Sequence, residues 1–330
     1  MRDLLKLDAN EGRPDPPPAA FPAFLDIETA RRYPDSRPLE AALAALFGVE
    51  PARVVVSAGG DDIIERYARV LVRPGSTALG TEPAFDSYAA ATARAGGSYV
   101  SVARAPEGPF PARELALAAR RLAPAFVAFA SPDNPGGGVV SVDGLLEVAD
   151  AGRPILFDAV YSHFATDQEV YRRALQLDGC TVLGSFSKAY GLAGLRVGWA
   201  VTSPDMARRI KAAGPPYPVA TTSLAAALAA LRCGRRSLEL RVARIREERE
   251  LLVSLLAELG ARTWRGEANF AAAWVRDGAA LARALAEKGI VVRTWPDRPE
   301  RNGLVRITCP GDSGDFGRLE AALRGAKEYI

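Results

Sequence analysis

Between two short apolar runs, 180–183 and 197–201, the chain crosses through a glycine- and serine-rich segment carrying Ser185, Ser187, Lys188, Gly191, Gly194 and Arg196. Lysine is rarely buried unless something pairs with its charge, and glycines in such a crossing permit positive φ or close approach to a ligand. The two serine hydroxyls and the Arg196 guanidinium are donors suited to a phosphate. Taken alone, Lys188 fits an ordinary surface turn; the segment as a whole is more specific. A second anion-binding signal lies at Ala58-Gly59-Gly60-Asp61-Asp62, where a strand at 53–57 turns into a helix carrying Ile63, Ile64, Tyr67 and Val70. Strand, glycine turn and helix N-terminus together aim free N–H groups and the positive dipole end at an anion, although Asp61 or Asp62 serves equally as an N-cap. Two further apolar runs end in polar residues: 125–130 leads into Ser131-Pro132-Asp133-Asn134-Pro135-Gly136-Gly137, and 154–157 into Asp158. Polar groups at the carboxyl ends of consecutive parallel strands are where α/β folds build their sites.

The elements that must hold these groups follow from periodicity. Leu39, Leu43, Leu46 and Phe47 recur at helical spacing and stop at Gly48. Strands at 53–57, 77–80, 98–103, 125–130, 154–157, 180–183 and 197–201 alternate with helices, among them 112–122 and 142–149, which predicts a doubly wound, mostly parallel sheet. Helices at 206–212, 221–231 and 237–259 follow. After Gly260 short strands (262–264, 270–275, 290–293, 304–308) and two helices (279–287, 315–326) predict a smaller α/β domain. Prolines between 14 and 22 exclude regular helix or central strand there. The expected division is an N-terminal arm at 1–35 packing with the small domain, a large domain at 36–235 and a small domain at 236–330.

Composition narrows the chemistry. The 330 residues, 48% hydrophobic and 25% charged, suffice for a large core and more than one domain. Formal charge is +3, and the richest arginine stretch, 232–249, is interleaved with Glu239, Glu247 and Glu248, a solvated helix face rather than a nucleic-acid footprint. Cysteines at 180, 233 and 309 form neither a disulfide framework nor a metal cluster. The sole histidine, His163, argues against a histidine metal site or a Ser-His-Asp triad, and reads as a structural or surface residue. Residues 1–10 lack a signal-peptide core and no run of 18 apolar residues occurs; a cytoplasmic protein is expected.

Residues 184–198 closely resemble the lysine signature of the fold-type I pyridoxal-phosphate enzymes, in particular the histidinol-phosphate aminotransferase family. The resemblance runs over nearly the whole chain. Leu7-Asp8-Ala9-Asn10-Glu11 resembles the family's N-terminal Asn-Glu motif, and Arg32-Tyr33-Pro34-Asp35 a second motif. The turn at 131–137 is similar to Asn-Pro-x-Asn-Pro-Thr-Gly, and Asp158-Ala159-Val160-Tyr161 to Asp-Glu-Ala-Tyr. The resemblance implies an α/β fold of fold type I, with Lys188, Asp158 and Tyr161 as catalytic residues. Lys188 would hold pyridoxal 5'-phosphate covalently and shuttle protons, Asp158 would face the pyridine nitrogen, and Asn134 and Tyr161 the phenolic oxygen. Phe85 would stack on the ring. Gly60, Asp61, Ser185, Ser187 and Arg196 would surround the phosphate, joined by Tyr33 from the partner subunit of a homodimer. Arg306 would bind the carboxylate of a 2-oxo acid and Arg293 a substrate phosphate, with Asn10 and Asn269 beside them. The implied reaction moves an amino group from histidinol phosphate, or a similar amine, to 2-oxoglutarate.

Gly12, Asp61, Ser131, Gly136 and Ala159 depart from the family pattern inside these motifs. They leave open an aromatic or other amino-acid aminotransferase, an enzyme like threonine-phosphate decarboxylase, or a non-catalytic protein that binds the cofactor. Trp264, Trp274 and Trp295 could line a pocket refitted to an unphosphorylated or bulkier amine, but are expected to be packing residues of the small domain.

Overall fold

The computed structural model describes residues 4–12 and 31–330, with only the backbone of Cys233. The proline-rich tract at 14–22 and most of the expected arm lie outside the described residues.

Seven strands form the larger sheet: β2 (Val54–Ser57), β3 (Thr77–Glu82), β4 (Ser98–Ala103), β5 (Val127–Ala130), β6 (Ile155–Asp158), β7 (Cys180–Ser185) and β8 (Gly198–Val201), in the order β2-β8-β7-β6-β5-β3-β4. Only β8 runs against its neighbours, so the carboxyl ends of β2, β3, β5, β6 and β7 share one edge. Side chains alternate through the sheet into two cores. Val54, Phe129, Phe157 and Val182 enter one, and Val55, Ala128, Leu156 and Leu183 the other. Helices cover both faces, which is why these strands read as unbroken apolar runs. Strand β3 extends to Glu82, past the expected end at 80, because its ladder with β4 continues to Glu82 opposite Ala103. The next helix, α3 (Ser87–Arg94), therefore starts beyond Phe85, which stands on the connecting loop. Helices α1 (Arg37–Phe47) and α2 (Gly60–Leu71) precede it.

The smaller sheet has the order β1-β11-β12-β10-β9, from β1 (Leu5–Leu7), β9 (Arg262–Thr263), β10 (Phe270–Trp274), β11 (Ile290–Thr294) and β12 (Leu304–Thr308). Strand β1 pairs in parallel with β11 and the remaining pairs are antiparallel. Strand β9 stops before Trp264, whose indole N–H turns away to the Gly136 carbonyl at 2.8 Å. A 25-residue helix, Arg235–Leu259, joins the two sheets. Its Leu252, Leu255, Leu256 and Leu259 pack with Phe270, Ile290 and Ile307. Arg241, Arg246 and Arg249 on this helix donate to the carbonyls of Ala189, Phe164 and Ala268 respectively. The helix is thereby fastened to the turns that follow Lys188 and Tyr161. Among the described residues no helix is long and apolar enough to cross a membrane.

Candidate active site

A cavity of about 640 Å³ opens between the carboxyl edge of the large sheet and the small sheet. Residues from β1's continuation (Asp8 to Glu11), α2, β5 to β7 and the β11–β12 region line it.

Lys188 lines the cavity. Strand β7 ends at Ser185, whose Oγ donates to Ser187 Oγ at 2.9 Å and accepts the Ser187 N–H at 3.0 Å. This knot and the fully buried Phe186 set the turn, and Lys188 Nζ reaches across to the Ala9 carbonyl at 2.9 Å. Arg196 adopts the left-handed conformation (φ 51°) and brings its guanidinium to Ala193 O, Ser187 Oγ and Asp61. A Cβ at Gly59 would lie 2.5 Å from that guanidinium, and Gly59 itself has φ 89°. The backbone conformation therefore favours glycine there. The two aspartates of the turn have separate duties. Asp62 accepts the Ala58 N–H at 3.0 Å and pairs with Arg66, closing the strand–helix turn. Asp61 lines the cavity, accepting from Ser87 Oγ at 2.9 Å and facing Arg196 at 3.4 Å. Neither caps the helix with its side chain, so the first amides of α2 stay available for an anion.

Asp158 closes β6 beneath the cavity. Its carboxylate accepts from Tyr88 O–H at 2.7 Å and from the Val160 N–H at 3.0 Å. Burial pushes its pKa up to about 6, against the opposing pull of the Tyr88 bond, the Val160 amide and Lys188. A buried carboxyl with no cation bonded to it suits a cationic N–H partner. Phe85 lines the cavity beside it and meets Tyr88 edge to face.

Arginines from the small sheet supply a further part of the lining. Arg306 donates to Asn134 Oδ1 and to the Asp8 carbonyl, each at 2.5 Å. Burial, and to a lesser degree Arg293, push its pKa down to about 10, leaving it cationic at neutral pH. Asn10, with φ 53°, exchanges bonds with Thr308 and donates to Tyr161 O–H at 2.9 Å. Asn269 does not line the cavity; it is buried behind Asn10 and donates to its carbonyl at 3.1 Å. Trp295 lines the cavity, contrary to the packing role expected of it, because Arg293, Arg301 and Arg306 all gather on its ring. Tyr33 lies outside its own chain's cavity, 80% exposed and stacked on Tyr217 with ring centroids 4.5 Å apart.

Several departures have local causes. A Cβ at Gly12 would collide with the Lys188 carbonyl, and one at Gly136 with the Pro106 carbonyl. Ser131 accepts the Val140 N–H at 3.2 Å, and Asp133 accepts the Gly138 N–H and pairs with buried Arg104 at 3.2 Å, so both close their turn. His163 is absent from the cavity; desolvation pushes its pKa down to about 4 and its ring packs on Tyr190. Three contributors escaped the sequence. Tyr88 lies three residues after Phe85, a spacing that also fits core packing. Trp295 and Arg301 sit in or beside an irregular loop where no periodicity marks them.

With this geometry in hand, comparison with known proteins is direct. The model of the family "Aminotransferase class I and II" matches residues 2–322. The chain is 32% identical over 313 residues to histidinol-phosphate aminotransferase 1 of Arabidopsis thaliana, covering 93% of this chain and 75% of that protein. Against histidinol-phosphate aminotransferase of Haloquadratum walsbyi it is 32% identical over 314 residues, covering 93% and 82%. The crystal structure of histidinol-phosphate aminotransferase from Sinorhizobium meliloti in complex with pyridoxal-5'-phosphate superposes with a TM-score of 0.89 at 25% identity, covering 99% and 92%. A match to the family model over nearly its whole length means that this chain belongs to the class I and II aminotransferases.

Proposed function

We propose that this aminotransferase holds pyridoxal 5'-phosphate on Lys188 and moves an amino group from histidinol phosphate, or a closely similar phosphorylated amine, to 2-oxoglutarate. The observation that carries the reading is one cavity lined by Lys188 and Asp158 together with Arg293, Arg301 and Arg306. The donor set fits the cofactor. The free amides of α2 with Ser185, Ser187 and Arg196 suit its phosphate, the buried Asp158 carboxyl its pyridine nitrogen, and Asn134 and Tyr161 its phenolic oxygen. Once bound, the cofactor supplies an aldehyde for covalent attachment and a conjugated ring that withdraws electron density from the substrate carbon.

The chain's own residues do the rest. Lys188 Nζ, parked on the Ala9 carbonyl, is the amine within reach of the cavity. It moves the proton of the substrate carbon that bears nitrogen. Asp158, oriented by Tyr88 and the Val160 amide, would offer its carboxylate to the pyridine nitrogen. Arg306, locked by Asn134 and Asp8, receives the 2-oxo acid carboxylate, and Arg293 joins it for the donor's phosphate. The arm residues Ala9 to Glu11 line the cavity.

Borohydride reduction followed by peptide mapping is expected to find the cofactor on Lys188, and kcat/KM is expected to favour histidinol phosphate over histidinol, phenylalanine, tyrosine and aspartate. No preference for the phosphorylated amine defeats the substrate assignment. Charge-assisted hydrogen bonds contribute about 1.5–3 kcal/mol each. Arg293→Ala should therefore raise KM for histidinol phosphate about tenfold or more, with a much smaller change for 2-oxoglutarate. Arg306→Ala should damage both half-reactions. Equal losses from the two variants on both substrates would contradict this division.

A homodimer with shared sites completes the proposal. Tyr33 and Tyr217 present two stacked, exposed rings outside the cavity, as expected of a surface covered by another subunit. Sedimentation should show a dimer, and an active monomer would reject it. The cytoplasmic location expected from the sequence is retained; the buried, unbridged Cys180 and Cys309 suit a reducing compartment.

A further inference from the structure

The part of the cavity lining around Trp295 holds more positive charge than two substrate arginines account for. Arg301 closes a short turn, Pro299–Arg301, between β11 and β12. Its side chain is 2% exposed and lines the cavity. The guanidinium carbons of Arg293, Arg301 and Arg306 lie 5.5, 5.6 and 5.9 Å from the centroid of the Trp295 ring. The ring face offers each cation some attraction, but three like charges gathered in a poorly hydrated space repel one another. The available counter-charge is limited: the Asp8 carboxylate acts on Arg306, and that of Glu82 is shared. Glu82 accepts from Arg301 and also faces Arg298 at 3.6 Å, which Asp86 holds at 3.0 Å. Two buried donors in this part, Nε of Arg301 and Nε of Arg306, have no hydrogen-bond partner among the described residues. A buried donor left unmade is destabilising unless a ligand completes it. A phosphate monoester brings a charge of about −1.5 to −2 and three terminal oxygens, whereas a carboxylate brings one charge and two oxygens.

We propose that Arg301 is a specificity-determining residue, the third guanidinium through which the part of the cavity around Trp295 selects a phosphate-bearing amine over its unphosphorylated or singly carboxylated counterpart. The proposal rests on the functional reading above and adds a residue to it. Arg293 and Arg306 grip the anion, and Arg301, steadied by Glu82, supplies the charge that makes a dianion the better occupant.

The test compares wild-type, Arg301→Gln and Arg301→Lys holoenzymes with histidinol phosphate and histidinol as donors, and with inorganic phosphate as a competitive inhibitor. In Arg301→Gln the ratio of kcat/KM for phosphorylated over unphosphorylated donor should fall about tenfold or more, through KM rather than kcat. The Ki of inorganic phosphate should rise by a similar factor, and Arg301→Lys should recover part of both. Glu82→Gln, which breaks the tie but leaves the charge, should keep the ratio at or above the wild-type value. An unchanged ratio in Arg301→Gln beside a wild type that prefers the phosphorylated donor overturns this inference alone. So does an equal loss for both donors, which marks a purely structural pin. A wild type with no preference overturns the functional reading, and this inference with it.

Discussion

Lys188→Ala is expected to lower turnover by at least about 10⁴-fold, because it removes covalent attachment and the proton carrier in one change. The fold should survive. The turn is set by the Ser185–Ser187 knot and by Phe186, not by the lysine side chain. What is lost structurally is one hydrogen bond from Nζ to the Ala9 carbonyl, about 1 kcal/mol. Single-turnover rates beside thermal melts separate the two effects. A variant within about 100-fold of wild type would show that Lys188 is not the attachment point.

Asp158→Asn has the second largest expected effect, about 10²–10³-fold in kcat, or about 3–4 kcal/mol, with a smaller loss of cofactor affinity. Asparagine keeps the shape and an acceptor for Tyr88 but not the charge. The same residue gives a signature in cofactor-free protein. Burial raises its pKa to about 6, against about 3.9 in an unfolded chain. Between about pH 4 and 6 the folded state therefore keeps a proton that the unfolded state releases. The stability linked to it is complete at low pH and is lost as pH rises through about 6, a change of about 3 kcal/mol. The asparagine variant lacks this titration. Denaturant melts should show it gaining on wild type by that amount between pH 4 and pH 7. A constant difference across the range would mean that the wild-type carboxyl is ionised throughout.

Groups set by local chemistry were legible before any coordinates. The lysine crossing, the glycine turn into α2 and the polar residues ending β5 and β6 announce themselves because each lies within a few residues of a strand end. Residues whose place depends on distant chain were not. Gly12 and Gly136 look like departures from a family pattern until the Lys188 and Pro106 carbonyls are seen pressed against them. Asn269 looks like a lining residue, yet it reaches only Asn10, 259 positions away. Trp295 has the apolar bulk of a core residue, and only the convergence of three arginines turns it toward the cavity. Arg301 finds Glu82 across 219 positions, a relation that no local pattern encodes.

Strand β1 and the residues after it have a consequence for biosynthesis. Its ladder partner is β11, and Asn10 bonds Thr308, 298 positions on. Domains emerging from a ribosome generally fold in order, N-terminal portions first. Here residues 5–12 leave before β9 to β12, yet have no seat until the small sheet has been made. Contacts of such sequence separation also form slowly. The large sheet, with Lys188 and Asp158 already at its edge, can assemble while the arm is still waiting. The last wall of the cavity to be laid is thus made of residues synthesised well before the sheet that seats them.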